Sequence, residues 1–196
     1  WVMRGLVAEP DPDRTADMYE ATAERLQAEG FVQYEISNWA RLRGPASPAS
    51  LIEEATFACR HNLQYWRNLP YLGFGAGAHG CAFGWRYSNL LSPEGFIRAM
   101  DRGPLSEPPM GPAVASSTRS TAADAMAETM FLGLRLTTEG VLEKDFSSRF
   151  GVRLAAAYGA ELHRLSDQGL VTWDSEQARL TPRGRLLGNR VFEAFV

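Results

Sequence analysis

The chain has 196 residues, 45% apolar and 22% charged, with a formal net charge of −3 at neutral pH. Those are the proportions of a globular protein long enough to bury one or two cores, and the mild acidity gives no reason to expect a polyanion partner. Two cysteines, Cys59 and Cys81, cannot build a disulfide framework, and no apolar run approaches the roughly 20 residues that span a bilayer. A cytoplasmic protein is expected, with peripheral membrane contact left open. The opening on Trp1 instead of Met makes a piece of a longer protein the expectation.

Residues 1–10 read as irregular. A helix then starts at Asp11-Pro12-Asp13: Asp11 can cap, Pro12 has the φ of a first helical position, and acids suit the positive end of the helix dipole. Ala16, Tyr19, Ala23 and Leu26 fall on one stripe, and Gly30 stands where a left-handed stop is wanted. FVQYEIS, residues 31–37, reads as a strand with Gln33, Glu35 and Ser37 on one face. Helix, glycine, strand is the αβ half of a βαβ unit and predicts a parallel sheet or barrel. Sites in such folds gather at the carboxyl ends of strands, here Glu35, Ser37 and Asn38. For Glu35 the plainer reading is an ion pair with a neighbouring cation. Residues 41–58 read as a surface loop with a short helical turn at 51–57.

Residues 59–80, CRHNLQYWRNLPYLGFGAGAHG, are the chemically densest stretch. If HNLQYW is helical, His61 and Tyr65 lie one turn apart on a shared face. Imidazole is a common axial ligand of haem iron, adjacent rings offer a flat apolar surface, and Arg60 and Arg67 could meet propionates. The plainer reading leaves His61 hydrogen-bonded locally and the Tyr65-Trp66 pair in a core. His79 competes as a ligand, against a structural role at a turn. A zinc site of Cys59, His61, His79 and Cys81 would need the fold to join two separated halves, and it has no supporting spacing. YLGFGAG reads as a short strand entering glycines. Gly75, Gly77 and Gly80 satisfy G-x-G-x-x-G, but the strand-like CAFGWRYSNL follows where a dinucleotide site needs a helix. The glycines are better read as admitting backbone or a flat ligand, with Arg60, Gly75, Gly77 and His79 on a cavity wall.

Ser92-Pro93-Glu94 caps a short helix to Met100, and residues 103–121, rich in Pro and small polar residues, read as an interdomain linker. The texture beyond is helical. Ala127, Met130, Phe131 and Leu134 mark a first helix, which breaks at Gly140-Val141. A short helix follows over 142–150, then a third over about 152–168 with Leu154, Tyr158, Leu162 and Leu165 inward. LVTW (170–173) and ARLT (178–181) form a hairpin, and Thr181-Pro182 opens a last helix with Leu187, Val191 and Phe195 on one face. Helices followed by a two-stranded wing make the winged-helix pattern. From Glu139 onward eight basic residues meet eight acidic ones, so the basic face of a nucleic-acid reader is missing. An interaction or lid role is expected, with no nucleic-acid partner.

QYEISNWA (33–40), CRHNLQYW (59–66), YLGFGAGAHG (71–80) and ETMFLGLRLTTEGV (128–141), with GLV, RLT and N-x-V-F behind them, resemble the oxygen-independent coproporphyrinogen III oxidase-like family of radical-SAM proteins. The resemblance covers nearly the whole chain, in the family's order. The H-N-x-x-Y-W block resembles the family's haem-chaperone branch, HemW. That resemblance implies haem binding at His61, Asn62, Tyr65 and Trp66, with His61 on the iron, and haem-accepting proteins as partners. It also implies S-adenosylmethionine and a four-iron four-sulfur cluster in the full-length protein, held by a C-x-x-x-C-x-x-C motif that this sequence lacks.

The expected fold is therefore α/β. Residues 1–102 would be the C-terminal part of a partial (β/α) radical-SAM barrel, 103–121 a linker, and 122–196 a small, mainly helical, winged-helix-like domain. The expected function is that of a fragment of a haem chaperone, catalysing nothing by itself. Oxidative decarboxylation of coproporphyrinogen III by a complete, radical-SAM oxidoreductase-like chain is the alternative. Two further departures from the family stand out: the long segment between Ala40 and Cys59, and Gly80, where the family usually has Ser.

Overall fold

The computed structural model describes residues 1–44, 56–103 and 109–196. Helix α1 (Pro12–Ala28) begins and ends as its sequence dictates. The Asp11 carboxylate accepts from Asp13 N and Arg14 N, and Gly30 turns left-handed at φ 79°. Its half-buried residues are Ala16, Tyr19, Ala23 and Leu26, the stripe that the periodicity marks.

Strand β1 (Phe31–Glu35) stops two residues short of the predicted strand, and the chain reverses into β2 (Asn38–Arg41). The expected parallel layer is thus an antiparallel hairpin, and every strand pairing among the described residues is antiparallel. Glu35 explains the reversal. Its buried carboxylate accepts from Ser37 N at 2.9 Å and Asn38 Nδ2 at 2.7 Å, and a local acceptor of this kind competes with continued ladder pairing. The helical turn expected at 51–57 lies, but for Thr56 and Phe57, outside the described residues. Thr56 bridges Leu42, and Phe57 N donates to Arg41 O.

The 59–80 stretch forms helix α2 (Arg60–Trp66) and then an irregular run. YLGFGAG is not a strand: positive φ at Gly75 (97°) and Gly77 (70°) breaks extension, and only Tyr71 bridges Cys81. CAFGWRYSNL does form the hairpin its pattern suggests, β3 (His79–Ala82) and β4 (Trp85–Asn89). Helix α3 (Pro93–Met100) follows under its Ser92 cap. Part of the expected linker is structured. Residues 104–108 lie outside the described residues, but β5 (Val114–Arg119) pairs along β4 from Trp85 to Asn89 and completes a three-stranded meander.

Helix α4 (Ala122–Gly133) starts on a reciprocal capping box of Thr121 and Asp124. Val141 and Leu142 then form β6, followed by α5 (Glu143–Phe150), α6 (Leu154–Asp167), β7 (Val171–Trp173) and β8 (Gln177–Leu180). The wing therefore has three strands, ordered β6-β8-β7, where the sequence suggested two. The last helix is two: α7 (Pro182–Leu186) and α8 (Gly188–Phe192) meet at Leu187, whose φ of −107° and ψ of 27° break the helix. Val191 and Phe195 stay in the core as expected, and Leu187 turns outward.

The larger core joins Met130, Leu134, Phe146, Leu154, Leu162 and Val191 with their neighbours. The smaller one gathers Tyr34, Ala40, Ala58, Leu63 and Leu136. Leu136 comes from the C-terminal part, so the two parts share a core. Backbone bonds join them as well: Ile36 N donates to Arg135 O, and Thr137 N to Tyr34 O.

Candidate functional site

Helix α2 is seven residues long, too short to persist by itself. Its neighbours hold it. Leu63 is fully buried in the smaller core. Trp66 turns toward the C-terminal part, where the Arg135 guanidinium stacks 4.5 Å from its ring centroid. Arg135 also donates to Glu35 Oε1 at 2.6 Å, so one cation joins β1, α2 and the end of α4. Just past the helix, Arg67 makes a two-pronged pair with Glu139, at 3.1 and 2.8 Å. Buried Asn68, at φ 51°, donates to Thr129 Oγ1 and accepts from Arg149 Nη1. Burial pushes the Arg149 pKa down.

The opposite face of α2 is free. His61 is exposed, and its ring meets Tyr65 edge-on at 4.9 Å. Tyr65 meets Tyr71 in the same manner at 4.6 Å. Tyr71 is fixed by paired backbone bonds with Cys81, and burial raises its hydroxyl pKa against the pull of the Arg86 charge. Arg86 in turn is held more firmly protonated by its hydrogen bond to Glu128. The result is a row of three rings ending in an open imidazole.

The structure thus brings together His61 and Tyr65 from the expected set and adds Tyr71, which the sequence reading treated only as strand. Asn62 is half-buried, one turn before Trp66. Trp66 lines a cavity of about 310 Å³ with Arg67, Leu69, Val141 and Phe146. Gly75 lines a different one of about 480 Å³, with Gly73, Phe74, Tyr87 and Phe96. Arg60 is exposed, Gly77 lies against Leu91, and His79 is an exposed strand residue opposite Ser88. Arg67, considered for propionates, already holds Glu139. Among the described residues no group of three or more His, Cys, Asp or Glu side chains could hold a metal ion, so the Cys59–His61–His79–Cys81 zinc site does not form.

Gly80 has a physical reason. A Cβ there would land inside the ring of Tyr87, which is buried and whose hydroxyl accepts from Gly73 N. Glu35, near the predicted strand end, takes the plainer role of ion-pair partner. Arg135 had no sequence signal as its partner, since the two stand 100 positions apart.

Comparison with known proteins points one way. Residues 120–187 match the family described as HemN C-terminal domain. Over 195 residues the chain is 34% identical to the Heme chaperone HemW of Bacillus subtilis (strain 168), covering 100% of this chain and 46% of that protein. It is 35% identical over 193 residues to the Heme chaperone HemW of Lactococcus lactis subsp. lactis (strain IL1403), covering 98% and 45%. The chain spans slightly less than half the length of these relatives. The fold resembles that of coproporphyrinogen III oxidase (HemN) from Escherichia coli, described as a radical SAM enzyme. The TM-score is 0.63 at 17% identity, over 95% of this chain and 42% of that one, a likeness of fold alone.

Proposed function

From a chain that is HemW-like along its whole length and carries a HemN C-terminal domain at 120–187, we propose the C-terminal half of a haem chaperone. In this reading it binds haem as cargo, delivers it to haem-dependent proteins and works in the cytoplasm. Among the described residues no helix is long and apolar enough to cross a membrane.

One observation carries the site: the CRHNLQYW segment is a fixed helix that offers the His61 imidazole to solvent beside two rings in edge-on contact. An imidazole so placed can ligate iron, and Tyr65 and Tyr71 supply apolar edges for a macrocycle. Trp66 supports the helix from its other side through Arg135. The relatives' radical-SAM chemistry asks for S-adenosylmethionine and an iron–sulfur cluster. Two cysteines, one at the start of α2 and one in β3, do not fit a cluster held by the three thiolates of a C-x-x-x-C-x-x-C motif.

Haem titrated into the full-length protein is expected to give a Soret band that shifts or weakens in His61→Ala. An unchanged band in that variant removes His61 as ligand. Anaerobic conversion of coproporphyrinogen III propionates to vinyl groups by the same protein would replace the chaperone reading with the oxidase one.

A further inference from the structure

We propose that the cleft between the end of β1 and α8 binds the oxyanion group, carboxylate or phosphate, of an amphipathic small molecule through Arg185 and Arg190. The cleft has a volume of about 680 Å³, in the range of small-molecule sites. Three guanidinium groups line it, those of Arg135, Arg185 and Arg190, with one exposed carboxylate, Glu193. Glu35 stands behind Arg135 and neutralises it. Arg185 and Arg190 form no ion pair among the described residues.

Arg185 is the telling member. Its Nη1 donates to Gln33 Oε1 at 3.0 Å, and its Nε is buried with no acceptor, as is the Nε of Arg135. Burial lowers its pKa, the mark of a cation held away from water without a counter-charge. Desolvating a charge is costly unless it is paired, and a residue serving only to pack or to bond Gln33 could be neutral. An oxyanion in the cleft supplies the counter-charge that the fold leaves out, although it does not reach the sealed Nε. Beside the charges, Ile36, Leu187 and Phe192 give the cleft an apolar wall, while Ser37 and Asn189 add short polar groups. Charge on one side and apolar surface on the other select a molecule with both. Arg135 separates this cleft from Trp66, and the exposed His61 face takes no part, so the proposal stands apart from haem ligation.

The test is calorimetric titration of the full-length protein with benzoate, its neutral analogue benzamide, and inorganic phosphate. Benzoate or phosphate is expected to bind, with benzamide at least about tenfold weaker. Arg190→Gln, at an exposed position, and Arg185→Gln are each expected to weaken binding about tenfold or more. Tighter benzoate identifies a carboxylate on an apolar body, and tighter phosphate identifies a phosphate head group. The proposal fails if neither anion binds, if benzamide matches benzoate, or if Arg190→Gln binds as the wild type does. The last criterion holds even if Arg185→Gln does not fold.

Discussion

Removing the Glu35 carboxylate should be among the most costly single changes in this protein. Glu35 is fully buried, and it is the one charged residue in that class among the described residues. It accepts three hydrogen bonds, from Ser37 N, Asn38 Nδ2 and Arg135 Nη2. Glu35→Ala leaves Arg135, whose side chain is 26% exposed, without its counter-charge, and it orphans two donors of the β1–β2 turn. Breaking a buried pair costs about 3–5 kcal/mol, and the partial exposure of Arg135 and its stacking on Trp66 place the pair's share near the lower end. The two lost turn acceptors add about 1 kcal/mol each, for a total of about 5 kcal/mol. For a domain of this size, that lowers the melting temperature by roughly 10–20 °C. Urea unfolding followed by tryptophan fluorescence would read it. The double variant Glu35→Ala/Arg135→Met should recover about 2 kcal/mol of the sum of the single losses, because no stranded cation remains. A cost below about 1 kcal/mol, or strict additivity in the double variant, would refute the picture of Arg135 joining three elements through a buried charge.

Gly80→Ser should destabilise by about 3 kcal/mol, since its Cβ would enter the Tyr87 ring. A shift in urea midpoint that disappears in a Tyr87→Ala background supports this, and a neutral Gly80→Ser contradicts it. At the start of α4, the Asp124 carboxyl sits below the usual Asp range because Thr121 N–H and then the Thr121 hydroxyl bond it. A lowered folded-state pKa stabilises fully above the unfolded value, and the gain is lost as pH falls through the lowered one. The advantage of wild type over Asp124→Asn in urea unfolding should therefore be full at neutral pH and narrower at about pH 3. An equal gap at both would sink the linkage.

The parts legible in the sequence were those fixed by neighbours along the chain. Asp11, Ser92 and Thr181 cap helices because a side-chain oxygen three residues ahead of an orphan N–H reaches it in any context. The inward faces of α1 and α6 follow from a 3.6-residue period. What stayed hidden depends on distant partners. The reversal after β1 needs the buried acceptors of Glu35, whose counter-charge lies 100 residues away. Strand β5 emerges from a proline-rich run because β4 offers it an edge, a tertiary effect stronger than local composition. At the candidate site, the spacing of His61 and Tyr65 predicted a shared helical face, but Tyr71 joins them only because β3 pins its backbone. Haem enters only as a proposal from family resemblance, since a histidine one turn from a tyrosine has many ordinary uses.

The holding of α2 also bears on why a winged-helix-like unit follows this stretch. A seven-residue helix with an exposed imidazole would fray in water, and its ligand geometry with it. Leu63 fixes one side in the smaller core. The other three contacts all reach the C-terminal part: Trp66 to Arg135, Arg67 to Glu139, and Asn68 to Thr129 and Arg149. The contacts of that part converge on the helix. Its arrangement is that of a clamp. It immobilises the buried side of CRHNLQYW and leaves the His61 side open, an arrangement that suits the proposed haem cargo.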